Sequence, residues 1–461
     1  MNIFKKPKKH ENLHTYGWEL FPQADHFLLQ KIESFLENNS FAKLLAFRIE
    51  QETSTRFIDW IDHIVFPEQS VRKEDVEKTG FQETKHIESS RDKKIFVHSG
   101  AVFPAVLLTK RCHTEIALKP ERLDHFVQAM GGGISIQGEL YSPYRKATIS
   151  SQNDCVLSAV ERRGFRGFQV HEKAEDILEY RKALEWFVCR QRYFETLDEG
   201  MESIQKLIVL GSEKLSAARV TDAFFRAERF YWEKRNWVGQ IQKARQDRFG
   251  LGWGNHDHHT YRSSRENFSR LLKIFEALGF LLRERFYAGE EAGWGAQILE
   301  HPQCNIVLFT DVDLSKEEKN VDFSRLERKP VDCAGTVGMW VNLHGESVFQ
   351  AGLHHLAARF DFERLRRDLQ ALNITTMQPF SYFDFLKQAF TKGEMWKVET
   401  KKLDSLTENG LISTEQCAQF ERDGAVGSHL ENLQRTQGFK GFNQRSVSVI
   451  IKATDPRTYN E

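Results

Sequence analysis

Asp257-His258-His259-Thr260-Tyr261-Arg262 is the stretch on which the reading of this chain turns. Its aromatic and β-branched residues make a strand over Asn255 to Arg262. Side chains two apart on a strand share a face. His256, His258, Thr260 and Arg262 therefore point one way, and Asp257, His259 and Tyr261 the other. Ser263 and Glu266 then supply an S-x-x-E capping box for a helix. Phe268, Leu271, Leu272, Phe275 and Leu278 give that helix one apolar face, and Gly279 is its stop. Strands are expected at Phe280 to Phe286, Gly295 to Leu299 and Asn305 to Thr310. Together these elements form one β-α-β-β-β unit.

The pattern restarts beyond a charged insertion at 313 to 328. Gly338 to Leu343 and Leu353 to Phe360 read as strands, and Phe362, Leu365, Leu369 and Leu372 line a second amphipathic helix. In this strand His354 shares a side with Leu356 and Phe360, which suits packing on the helix. His355 shares a side with Ala357 and Arg359, which suits a concave, ligand-facing surface. A third block follows, His429-Leu430-Glu431-Asn432-Leu433-Gln434-Arg435. Two histidines and a carboxylate from three segments are what a non-haem Fe(II) centre needs, with positions left open for O2 and a chelating substrate. Strand periodicity selects His258 and His355 from their doublets, and Glu431 is the third candidate ligand. Glu300 is its rival, and it would give a different geometry.

The rest of the chain is consistent with this reading. Its 461 residues exceed one ordinary core, so two or three packed units are expected. Hydrophobic residues at 40% beside charged ones at 28% fit a globular protein. Lys+Arg and Asp+Glu balance at 65 each, which argues against nucleic acid or an anionic membrane as partner. Lys5-Lys6-Pro7-Lys8-Lys9 is a solvated basic tail with no apolar region behind it to make a secretory signal. Six scattered cysteines without a C-x-x-C pair indicate a reducing, cytoplasmic setting. Gly131-Gly132-Gly133 lacks the strand-loop-helix context of a phosphate loop, and neither a Gly-x-Ser-x-Gly elbow nor a His-Glu-x-x-His helix occurs.

Four segments are expected: a lead-in (1–44), a first α+β unit (45–170), a helical insert (171–249) and the histidine-bearing unit (250–461). In the first α+β unit, Phe57 to Phe66 reads as a strand carrying Asp62-His63-Ile64, with further strands at Lys94 to His98, Ala101 to Leu108 and His113 to Leu118. The insert lacks proline and carries charged and apolar residues at helical spacing.

The last unit resembles the vicinal-oxygen-chelate superfamily, and within it the 4-hydroxyphenylpyruvate dioxygenase family. The likeness is carried by Asp257-His258, His354-His355-Leu356, Glu431-Asn432-Leu433-Gln434-Arg435, Phe385-Leu386-Lys387-Gln388-Ala389-Phe390-Thr391 and Gly438-Phe439-Lys440-Gly441-Phe442-Asn443. Gaps of 97 residues (258 to 355) and 76 residues (355 to 431) fit one β-α-β-β-β repeat per ligand. The chain is also similar to the 2-oxoadipate dioxygenase/decarboxylase (hydroxyglutarate synthase) family, in which an arginine four residues after the first metal histidine grips a distal substrate carboxylate. Arg262 stands at that spacing from His258.

These resemblances imply an α+β fold of paired β-α-β-β-β modules in two halves with a helical insert between them. The first half would be a degenerate, metal-free copy around His63. They further imply Fe(II) held by His258, His355 and Glu431, with Gln388 and Arg262 toward the substrate. The activity would be oxidative decarboxylation and hydroxylation of a 2-oxo acid with O2, and a homo-oligomer is compatible with this. Two alternatives stand beside it. One is another metal-dependent enzyme of the same fold (lyase, isomerase or extradiol type), and the other is a non-catalytic small-molecule-binding protein.

Overall fold

A computed structural model describes residues 18–85, 87, 92–170, 174–287, 293–326, 334–443 and 447–459. The first half carries β1 (Ile61–Pro67), β2 (Gln82–Thr84), β3 (Lys93–Val97), β4 (Ala105–Thr109), β5 (Thr114–Leu118), β6 (Ile136–Gln137), β7 (Tyr144–Gln152) and β8 (Cys155–Arg162). The second carries β9 (His256–Arg262), β10 (Leu281–Tyr287), β11 (Trp294–His301), β12 (Ile306–Asp313), β13 (His355–Arg359), β14 (Ser381–Phe383), β15 (Leu386–Phe390), β16 (Glu394–Trp396) and β17 (Ala425–Arg435). The helices in chain order are α1 (Pro22–Asn38), α2 (Ser40–Thr53), α3 (Lys73–Glu77), α4 (Leu123–Ala129), α5 (Ala174–Cys189), α6 (Leu197–Ser212), α7 (Ala217–Glu233), α8 (Trp237–Asp247), α9 (Phe268–Ala277), α10 (Thr336–His344), α11 (Phe362–Ala371), α12 (Thr400–Glu408), α13 (Thr414–Asp423) and α14 (Val447–Ala453).

The two sheets have matching strand orders: β2-β3-β4-β1-β5-β8-β7-β6 in one, β10-β11-β12-β9-β13-β17-β15-β14 in the other. Each sheet is two β-α-β-β-β modules joined through their first strands, which run antiparallel as β1/β5 and β9/β13. Within a module the first strand is parallel to the last, as in β9/β12 and β13/β17. This is the paired-module architecture of the vicinal-oxygen-chelate type, in two halves.

In the second sheet, alternate residues feed two separate cores. Tyr261, Leu299, Leu308 and Leu356 point outward, where α9, α11 and the helices α5 to α7 cover them. Ala296, Ile298 and Phe309 point inward, beside Phe390 and Phe442. The helical stretch thus completes the second half's outer core. Arg190 and Arg192, both buried and paired on Glu228, fasten it by donating to the Val348 and Phe349 carbonyls at 2.6 and 3.1 Å, and the Tyr261 hydroxyl donates to Glu228 at 3.3 Å. In the first half, α1 and α2 pack Leu28, Phe35, Leu45 and Ile49 onto the first sheet. Among the described residues no helix is long and apolar enough to cross a membrane.

Three local expectations are corrected. The strand expected from Phe57 starts at Ile61, because Arg56 pairs with Asp59 at 2.7 and 2.8 Å and curls Phe57–Trp60 into a 3-10 turn. Gly338 to Leu343 is helical. The Asp313 carboxylate accepts the N–H groups of Val337 and Gly338 at 3.1 and 2.8 Å, so it seats a negative charge on the start of α10. A short apolar run does not distinguish helix from strand. The Ser263/Glu266 capping box does not form, since the Ser264 N–H is taken by the Glu346 carboxylate at 3.1 Å and α9 starts only at Phe268. The apolar face of α9 is buried as expected, whereas Leu372, at the end of the α11 stripe, is exposed.

Where the halves meet, Gly250 holds φ +66, and a Cβ there would run into the His125 carbonyl of the first half. Gly250→Ala is expected to cost about 2 kcal/mol through left-handed strain and this clash. Chemical denaturation measures it, and an unchanged midpoint would contradict the close packing of the halves.

Candidate metal centre

The register across β9, β13 and β17 assembles the site. His258 lies opposite Ala357, and Ala357 lies beside Glu431, so the three form one row across adjacent strands. His355 stands two residues before Ala357 on the middle strand, opposite Thr260. The middle of the row is only a methyl group, which leaves room for His258, His355 and Glu431 to converge above it. One donor atom from each of the three lies within 4.8 Å of the others, and all three residues are buried. Glu431 Oε2 is 3.2 Å from His258 Nε2 and 3.1 Å from His355 Nε2.

Each group is held by others. His258 Nδ1 is 3.0 Å from Asp257 Oδ1, which fixes that ring nitrogen and leaves Nε2 toward Glu431. Asp257 is held in turn by the Arg359 Nε donor at 2.9 Å and by Arg435 through Nε and Nη2, both at 3.0 Å. Gln388 Nε2 donates to Glu431 Oε1 at 2.7 Å, so the second carboxylate oxygen is the one turned to both imidazoles. His355 Nδ1 lies 2.9 Å from His354 Nδ1, and Thr260 Oγ1 is 2.7 Å from His355 Nε2.

Electrostatics follow from this packing. Burial works against a charged His258, but Glu431 and the Asp257 hydrogen bond hold its pKa above the ordinary value. Burial pulls His355 down to about 4 against the pull of Glu431. Burial would lift Glu431, yet His258 and His355 bring it down to about 2. One buried carboxylate therefore sits among nitrogens that compete for a single positive charge.

The centre opens into a small cavity of about 40 Å³. Trp294, Phe309, Phe380, Phe390 and Phe442 form most of its wall, and Arg262 and Asp311 lie at one end. Arg262 Nε is 3.6 Å from Asp311 Oδ2, and among the described residues its Nε and Nη1 have no hydrogen-bond acceptor. Burial lifts the Asp311 carboxyl to about 7 in spite of Arg262.

The expected residues can now be placed. His258, His355, Glu431, Gln388 and Arg262 all border this cavity. Glu300 does not; it sits on β11 paired with Lys440 at 2.8 Å and Arg283 at 3.5 Å. His354 also faces the cavity rather than the helix, because it precedes the first residue of β13, where alternation does not yet apply. Asp311 escaped the sequence reading. Its signal was available only through register, since it pairs with Arg262 across β12 and β9.

The first half repeats the frame with different chemistry. The row His258-Ala357-Glu431 becomes His63-Ala117-Ser158, and Glu115 takes the place of His355. Asp62 backs His63 Nδ1 at 2.7 Å and is gripped by Arg162, as Asp257 is by Arg435. Lys146, at the register position of Gln388, places its ammonium on Glu115, and Ser158 Oγ donates to the same carboxylate at 2.6 Å. Here an internal lysine supplies the cation.

No protein-family model matches the chain, and no curated protein matches it by sequence. Solved structures do match in part. A triple-substituted 4-hydroxymandelate synthase from Streptomyces coelicolor is 11% identical with a TM-score of 0.25, covering 87% of this chain and 98% of that one. A Mn(II)-bound glyoxalase from Novosphingobium aromaticivorans is 10% identical with a TM-score of 0.19, covering 82% of each chain. Methylmalonyl-CoA epimerase from Mycobacterium tuberculosis is 11% identical with a TM-score of 0.23, covering 40% and 89%.

Burial raises the Glu115 pKa, but Lys146 and His63 outweigh it and bring the group to about 2. A carboxylate depressed in the folded state adds stability that is complete above its unfolded value of about 4.3 and is lost as pH falls toward 2. Lys146→Met should cost about 3 kcal/mol at pH 7 and flatten this acid dependence. Urea midpoints measured at pH 7, 5 and 3 test it, and a variant whose acid profile parallels wild type would contradict the assigned pairing.

Proposed function

We propose that this chain is a mononuclear Fe(II)-dependent dioxygenase acting on a 2-oxo acid, with His258, His355 and Glu431 holding the metal. The convergence of two neutral-capable imidazoles and one carboxylate on a single point carries the reading. Neighbouring ligands at right angles on a divalent ion, with bonds of about 2.1 Å, lie about 3 Å apart. The 3.2 and 3.1 Å separations of Glu431 Oε2 from the two ring nitrogens fit that spacing. The donor set also suits the ion, since two histidines and a carboxylate on one face leave the opposite positions free. When bound, Fe(II) would supply the open coordination at which a 2-oxo acid chelates and O2 is activated.

The protein's own groups would do the rest. Asp257 holds the His258 ring by Nδ1 and keeps Nε2 toward the ligand point. Gln388 steadies Glu431, and its own Oε1, with no partner among the described residues, remains for a substrate hydrogen bond. Arg262 presents a buried Nη1 donor with no acceptor among the described residues at the far end of the cavity, a charged contact suited to a second substrate carboxylate. The aromatic wall excludes bulk water from the reacting carbon.

Anaerobic reconstitution with Fe(II) followed by elemental analysis should give about one iron per chain in wild type. His258→Ala, His355→Ala and Glu431→Ala should each lose it. Wild type that takes up no iron sinks the reading. Stoichiometric iron with turnover but no O2 uptake would move it to lyase or isomerase chemistry.

A second outcome concerns the substrate. Arg262→Met should raise KM at least tenfold for dicarboxylic 2-oxo acids, the loss of one charge-assisted contact, and leave iron content unchanged. Equal KM values in the two proteins would remove Arg262 from substrate binding.

A further inference from the structure

A second cavity is larger than the metal pocket. A cleft of about 760 Å³ runs between the two halves, bordered by ten lysine or arginine side chains and seven aspartate or glutamate side chains. Nearly every acid is already committed. Asp62 is bound by Arg162, Asp257 by Arg359 and Arg435, Glu121 by Arg229, and Asp222 by Arg226. Lys119 is what remains. It directly follows β5 at the junction of the halves, where its N–H donates to the Trp60 carbonyl at 2.7 Å. Among the described residues its ammonium has neither an ion pair nor a hydrogen bond. Asp62, Arg359, Arg162 and Arg229 are the charges that act on it most, and each of these arginines is itself paired with a carboxylate.

A half-buried ammonium whose neighbouring carboxylates are all taken by arginines is unfavourable unless a further anion joins it. Burial and these neighbours bring Lys119 down to about 8, so it is still largely charged at neutral pH. Arg166, which also borders the cleft, donates Nη1 to the Pro302 carbonyl at 2.9 Å and among the described residues has no direct carboxylate contact. The cleft therefore offers unspent positive charge at Lys119 and Arg166, and room for more than one acidic group.

We propose that the cleft between the halves is a binding site for a small, multiply charged anion, a phosphate or a polycarboxylate, with Lys119 as its central contact and Arg166 as a second. The site is distinct from the metal pocket and does not depend on the reaction assigned to it.

Isothermal titration of the full chain with inorganic phosphate and, separately, with tricarballylate tests this at fixed ionic strength. Saturable one-to-one binding of either anion is expected, and which of them binds tells a phosphate ligand from a carboxylate one. Lys119→Met should weaken it about tenfold or more, Arg166→Ala several-fold, and Lys119→Arg should retain it. Arg262→Met should leave it unchanged. No saturable heat with either anion overturns the proposal. So does equal affinity in the Lys119→Met and Arg166→Ala proteins, or loss of binding in Arg262→Met alone, which would put the anion in the metal pocket.

Discussion

The carboxylate of Asp257 is the point on which the second half depends. It is buried, and burial alone would make its charge prohibitive, yet two guanidinium groups and an imidazole hold it well below the usual carboxylate range. Those partners come from three strands: His258 beside it on β9, Arg359 on β13 and Arg435 on β17. One charge thus ties together the strands that carry all three candidate ligands. It also fixes the His258 ring, so the cohesion of the sheet and the aim of the histidine share one cause.

The first half makes the same argument with other residues. Asp62, His63 and Arg162 reproduce the tie in register, so the frame is common to both halves. The difference lies in what the frame surrounds. Ser158 in place of Glu431 removes a charge, Glu115 in place of His355 adds one elsewhere, and the Lys146 ammonium satisfies it. With Pro67 and Thr109 at the register positions of Arg262 and Asp311, the polar end of the cavity has no counterpart either.

Much of this was legible in the sequence because strand alternation is a local rule. The cavity-facing placement of His258 and Arg262, and the burial of Phe268, Leu271 and Phe275, follow from periods of two and 3.6 read directly along the chain. The same rule failed for His354, which lies just outside its strand. It also failed at Gly338 to Leu343, whose helix is set by Asp313 from another element. The choice of Glu431 over Glu300 could not be made locally, since it depends on which strands are neighbours. Asp311 and Lys146 were invisible for the same reason: each gains its meaning from a residue at least thirty positions away that only register brings alongside.

Helices α5 to α7 precede every strand of the sheet they cover. During synthesis Phe225 emerges before Tyr261, Phe275 and Phe280, the rings it finally packs against. For the time it takes to translate some fifty residues (225 to 275), an aromatic helix face has no native surface to meet. Transiently uncovered apolar surface of this kind is prone to aggregate, and here it arises in the middle of the polypeptide, after every strand of the first sheet has been made.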